Sequence, residues 1–93
     1  MSVLSDEEVQ AKLAELGEGW EKYGNALRHE YKFDDFTGAV DFVNRLTPVA
    51  NEMNHHPDVF ISWGLARVSL ISHSEHGITE KDFELAKKLD GLA

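Results

Sequence analysis

The chain has 93 residues and a 42% apolar fraction, enough for one compact domain (residues 1–93) with a packed core and too little for two domains. With 17 acidic against 9 basic residues, a formal net charge of −8 repels a phosphate backbone and argues against nucleic acid as a partner. The absence of cysteine excludes disulfides, zinc–thiolate sites and thiol catalysis.

In chain order, Ser5 with Glu8 forms a capping-box signature, and Val9, Leu13 and Leu16 follow at helical spacing until Gly17, which predicts a first helix over 6–16. Trp20–Tyr23, a Gly24-Asn25 turn and Ala26–Phe33 then read as a hairpin. Leu27, His29, Tyr31 and Phe33 share one parity and therefore one buried face. Asp35 or Thr37 caps a longer helix over 37–53, with Phe36, Ala39, Val40, Val43, Leu46, Ala50 and Met53 as its apolar stripe. Pro48 falls inside that stripe, where the missing donor is expected to kink the helix or shift its register.

After His55-His56-Pro57 come two extended runs, Asp58–Trp63 and Leu65–Ser74, joined near Gly64; Ala66, Val68 and Leu70 alternate with Arg67 and Ser69. Thr79 with Asp82 caps a final helix that carries Phe83, Leu85, Ala86 and Leu89. Strands arriving in hairpin pairs between helices predict an α+β two-layer sandwich: a four-stranded antiparallel sheet, three helices on one face, order αββαββα. No stretch approaches the ~20 apolar residues of a membrane span. The N-terminal residues lack the basic start and apolar run of a secretory signal. The expectation is a soluble, cytoplasmic protein without membrane contact.

The chemistry concentrates at His55-His56-Pro57, a helix-to-strand junction. Side chains of neighbouring extended residues point to opposite faces, so two histidines serving one site need a bend between them, and Pro57 is able to hold such a bend rigid. His73 follows 18 positions after His55, at the expected end of the last strand, and Asp82 nine positions later, in the first turn of the last helix. Imidazole titrates near neutral pH, so it both donates a proton to a leaving hydroxyl and removes one from nitrogen under the same conditions. A carboxylate beside it orients the ring, as the third member of a triad does. Each residue also has a structural reading. His29 and His76 read as ordinary core or surface residues. Asp82 completes a helix cap, and Trp20 and Trp63 either stack on a flat heterocycle or join the core or an interface. Three histidines and an aspartate also suffice for a metal shell, although the chain lacks a helical His-x-x-x-His pair.

Taken together, Gly19-Trp20-Glu21, Phe33-Asp34-Asp35-Phe36 with Ala39 and Phe42, His55-His56-Pro57, Trp63, Ser72-His73, Thr79-x-x-Asp82, Leu85-Ala86 and Leu89-Asp90 resemble the pterin-4a-carbinolamine dehydratase family over nearly the whole chain. The resemblance implies the α+β fold above, a homodimer or homotetramer, and elimination of water from 4a-hydroxytetrahydropterin to quinonoid dihydropterin. That step recycles the cofactor of aromatic amino-acid hydroxylases. It implies His55 and His73 as the acid–base pair, Asp82 as their support, and His56, with Pro57 and Trp63, on the pterin side. Neither metal nor organic cofactor enters the implied mechanism. All three imidazoles are expected to meet at one flat hollow. The chain departs from the family pattern at Asp58-Val59, where Glu-Trp is common, and at Asn51, where a charged side chain is expected. The alternative it implies is a non-catalytic role through the protein's surface, since an animal member of the family is also a dimerisation partner of a homeodomain transcription factor.

Overall fold

The computed structural model describes residues 3–93. Helix α1 (Asp6–Leu13) starts at a complete capping box, with Glu8 N–H donating to Ser5 Oγ and Ser5 N–H to Glu8 Oε1. It ends three residues before the expected Leu16. Glu15 and Leu16 donate to Lys12 and Leu13, three residues back, so the chain tightens into a 3₁₀-like turn there.

Strands β1 (Glu21–Tyr23) and β2 (Ala26–Lys32) form the first hairpin, with Gly24 at φ 61° in its two-residue turn. A positive φ at the first turn position suits the right-handed twist of the flanking strands, and only glycine takes it without strain. Strands β3 (Asp58–Ser62) and β4 (Leu65–Leu70) form the second hairpin around Trp63-Gly64. The sheet is antiparallel throughout, in the order β1-β2-β4-β3.

Register decides which face is buried. Leu27, His29 and Tyr31 of β2 lie opposite Leu70, Val68 and Ala66 of β4, and Val59 and Ile61 of β3 join the same side. Helix α2 (Phe36–Met53) packs on β3 and β4 and against α3 (Glu80–Asp90). Its Ala39, Phe42, Leu46 and Ala50 enter the core with Val9 of α1 and Phe83, Leu85, Ala86 and Leu89 of α3. The other sheet face carries Arg28–Glu21 and Arg67–Glu30 ion pairs. This is the expected α+β sandwich, order αββαββα.

Asp35 is the α2 cap, its carboxylate accepting from Gly38 N–H at 2.8 Å. The helix runs through Pro48 without interruption. The expected extension of the last strand to Ser74 is not found. β4 stops at Leu70, because Ser72 and Gly77 pair with each other and close a short loop; His73–Glu75 form a 3₁₀ turn inside it.

Asp90, at the end of α3, fastens the first hairpin to the helical layer. Its Oδ1 accepts from Trp20 Nε1–H at 2.9 Å and from Tyr31 O–H at 2.7 Å. His29 stacks on Tyr31 with centroids 3.9 Å apart. A Cβ at Gly19, where φ is 104°, would run into the His29 ring, so this corner requires glycine. Trp20 is therefore a core residue.

Burial, then the hydrogen bond to Asp90 and its charge, push the Tyr31 hydroxyl well above the ordinary value of 10.0. A phenol whose folded value is raised contributes stability that is complete below the unfolded value and is lost as pH rises past it. Above pH ~10 only the unfolded chain releases this proton, and stability falls by up to ~1.4 kcal/mol per pH unit. Urea unfolding from pH 9 to 11 should therefore show the gap in stability between wild type and Tyr31→Phe narrowing as pH rises. A gap constant with pH would rule out the Asp90 clamp as the cause.

Candidate active site

The C-terminus of α2 positions the first histidine. Asn54 adopts the left-handed conformation (φ 50°), Asn54 N–H donates to Asn51 O, and His55 N–H reaches back five residues to Ala50 O at 3.1 Å. This is a Schellman closure, for which Asn is the usual substitute for glycine. It turns the chain under the helix end and points the His55 ring at the N-terminus of α3.

There Asp82 has no solvent exposure. Oδ1 lies 2.5 Å from His55 Nε2, while Oδ2 accepts from Thr79 N–H at 2.9 Å and Ser72 Oγ–H at 3.1 Å. An ionised carboxylate only accepts, so Nε2 is the protonated nitrogen in this contact. Nδ1 is then the nitrogen available to an incoming ligand. The His55 side chain is 11% exposed.

Beside this group lies an open, mostly polar hollow of about 350 Å³, whose lining includes Asn54, His55, Ser72, His73, Glu75 and Lys81. Its size is that of a small ligand site. His73 stands on the 3₁₀ turn, 70% exposed, with Nε2 3.6 Å from Asp58 Oδ2. At that distance and exposure the pair is a loose electrostatic contact, which leaves the ring free to turn.

The structure thus brings His55, His73 and Asp82 together. His56 does not line the hollow within one chain. After Asn54 the side chains alternate, His55 half-buried and His56 exposed, and His56 turns outward to place Nε2 2.8 Å from Asn51 Oδ1. The expected meeting of three imidazoles is, in this chain, a meeting of two. Pro57 continues the segment into β3. Trp63 sits at the tip of the β3–β4 hairpin, 73% exposed and at the opposite end of β3 from Asp58, and contributes no wall to the hollow. Sequence reasoning missed Glu75 and Lys81, whose only signal was proximity to His73 and Asp82. It also missed the Asp58–His73 contact, although Asp58 stood out as a departure. Among the described residues no three His, Asp or Glu side chains gather as metal ligands.

The profile of the family described as pterin 4 alpha carbinolamine dehydratase matches residues 2–92. The chain belongs to this family. It is 44% identical over 89 residues to a Sulfolobus acidocaldarius protein named "Putative pterin-4-alpha-carbinolamine dehydratase", covering 96% of this chain and 97% of that one. A protein of the same name from Mycolicibacterium vanbaalenii is 44% identical over 92 residues, covering 99% and 98%. The crystal structure of a transcriptional coactivator/pterin dehydratase from Brucella melitensis superposes with a TM-score of 0.93 at 33% identity, over 99% of both chains. A pterin dehydratase-like protein described as a RuBisCO assembly factor in the alpha-carboxysome shares the fold at a TM-score of 0.70 and 19% identity, over 82% of this chain and 90% of that one. No described helix is long and apolar enough to cross a membrane.

The two adjacent histidines should respond differently to truncation. His55→Ala leaves a buried carboxylate oxygen without its donor and should cost about 1–3 kcal/mol of stability. His56→Ala removes an exposed contact and should stay within about 0.5 kcal/mol. Urea midpoints of the two variants measured side by side check this; equal losses would contradict the assigned asymmetry.

Proposed function

We propose that the hollow eliminates water from a 4a-hydroxytetrahydropterin by proton transfers at His55 and His73. The observation that carries this reading is the convergence on one ligand-sized hollow of His55, backed by Asp82, with the solvent-facing His73, in a chain of this family. In the reaction the 4a-hydroxyl accepts a proton and leaves as water, N5 loses a proton, and the C4a–N5 double bond forms. No electrons enter or leave, so an acid and a base suffice. The carbinolamine nitrogen itself drives the hydroxyl out, and positioned proton transfer supplies the remaining acceleration, typically ~10²–10⁴-fold.

In this reading Asp82 orients His55, and His73 exchanges protons with solvent between turnovers. His56 and Pro57 act by holding the segment that carries His55, with Asn51 fixing His56 from the helix end. Trp63 does not line the hollow within one subunit. Assembly as a homodimer or homotetramer, cytoplasmic location and service to an aromatic amino-acid hydroxylase belong to the same proposal. A second reading, a surface that engages a protein partner, is favoured by the exposed aromatics Tyr23, Phe60 and Trp63, which lie on the strands and a hairpin tip.

Stopped-flow absorbance should show the purified protein speeding the decay of freshly generated 4a-hydroxytetrahydropterin at neutral pH. His55→Ala and His73→Ala should each lower the enzymatic rate by about 10²–10⁴-fold. A wild-type protein that leaves the spontaneous decay unchanged would overturn the enzymatic reading and leave the surface role.

A further inference from the structure

Ser72 and Thr79 do more than fill the core. Both are buried, at 6% and 0% exposure, and they come from separate segments: Ser72 from the loop after β4, Thr79 from the start of α3. Their hydroxyls are 2.7 Å apart, and Ser72 Oγ is also 3.1 Å from Asp82 Oδ2. A hydroxyl has one proton to give. Ser72 gives its proton to the carboxylate, so Thr79 Oγ1–H donates to Ser72 Oγ. The result is a one-way chain, Thr79 to Ser72 to Asp82, ending on the oxygen that His55 does not use.

We propose that Ser72 and Thr79 are positioning residues for His55: by locking Asp82 Oδ2 they leave Oδ1 a single direction, and so hold His55 as the tautomer that presents Nδ1 to the hollow. Capping of α3 is the reciprocal box between Thr79 and Asp82, in which the Asp82 backbone N–H donates to the Thr79 side chain and Thr79 N–H to the Asp82 carboxylate, and it has no use for Ser72. The Ser72 backbone is itself fixed, its N–H donating to Gly77 O at 2.9 Å and its O accepting from Gly77 N–H, so Oγ has little freedom to wander. Ser72 also precedes His73 directly, and both line the hollow, Ser72 from its buried wall and His73 from its exposed rim. Without the hydroxyl, Oδ2 keeps a single donor and the carboxylate is able to rotate, so the ring loses the reason to keep its proton on Nε2.

The proposal rests on the dehydratase reading for its kinetic consequence and on geometry alone for its tautomer. The test measures both in Ser72→Ala, Thr79→Val and the hydroxyl-retaining Ser72→Thr. Nitrogen-15 spectra of the His55 ring, recorded with the imidazole neutral, should show one tautomer protonated at Nε2 in wild type and in Ser72→Thr. Ser72→Ala and Thr79→Val should show a mixture. With 4a-hydroxytetrahydropterin, Ser72→Ala should lower kcat about tenfold with KM changed less than twofold, and Ser72→Thr should restore most of the loss. An unmixed Nε2–H tautomer in Ser72→Ala would overturn the proposal. If Ser72→Ala does not fold, Ser72→Cys, close in shape with a weak donor, carries the same expectation. A wild-type protein inactive on the pterin would defeat the dehydratase reading while leaving the tautomer result to decide this one.

Discussion

A carboxylate with no access to water is stable only if the protein replaces the hydrogen bonds it gave up, because an unpaired buried charge is among the costliest features a fold can hold. Asp82 meets that demand with donors from three places: Thr79 N–H at the start of α3, Ser72 Oγ–H from the loop after β4, and His55 Nε2–H from the turn after α2. The loop of Ser72 runs on into α3, whereas His55 comes from the far side of the β3–β4 hairpin. One carboxylate therefore ties together the end of α2, the loop after β4 and the start of α3. The hollow is what remains between those three ends.

The two oxygens divide the work. The two contacts fall on different atoms: Oδ2 closes the helix cap and receives the Ser72 hydroxyl, and Oδ1 meets the imidazole. A change to asparagine would replace one acceptor with a donor and disturb either the cap or the histidine contact, depending on which way the amide turned.

Much of this was legible in the sequence because it rests on local chemistry. The alternation of Ala66, Val68 and Leu70, the Gly24-Asn25 turn, the Ser5–Glu8 box and the Thr79–Asp82 pair act over a few residues, and the architecture follows from them. What was not legible depends on partners distant in sequence. Periodicity carried the last strand on to Ser74, but the pairing of Ser72 with Gly77 bends the chain first and puts His73 on a turn. The His55-His56 pair looked like a double ligand, whereas His55 is half-buried and His56 exposed, and Asn51, which stood out only as a departure from the family pattern, holds the outer one. Val59, the other conspicuous departure, packs half-buried against the core. Ser72 stood out only beside His73 in the family resemblance, and its bond to Asp82, ten residues further on, has no period to mark it.

The same physics explains how two imidazoles of one chemical type come to differ. A reaction that needs an acid and a base at one pH gains from placing like groups in unlike surroundings. His55 is enclosed, its ring gripped by a carboxylate that itself has little freedom to move. His73 stands in solvent with only the loose, equally exposed Asp58 beside it. The enclosed ring is held in one direction by its bond to Asp82, while the exposed ring has room to adjust its angle. Under the dehydratase reading, precision at one nitrogen and exchange at the other are the two properties that a proton-neutral elimination asks of its site. The chain supplies them from one buried aspartate and one short loop.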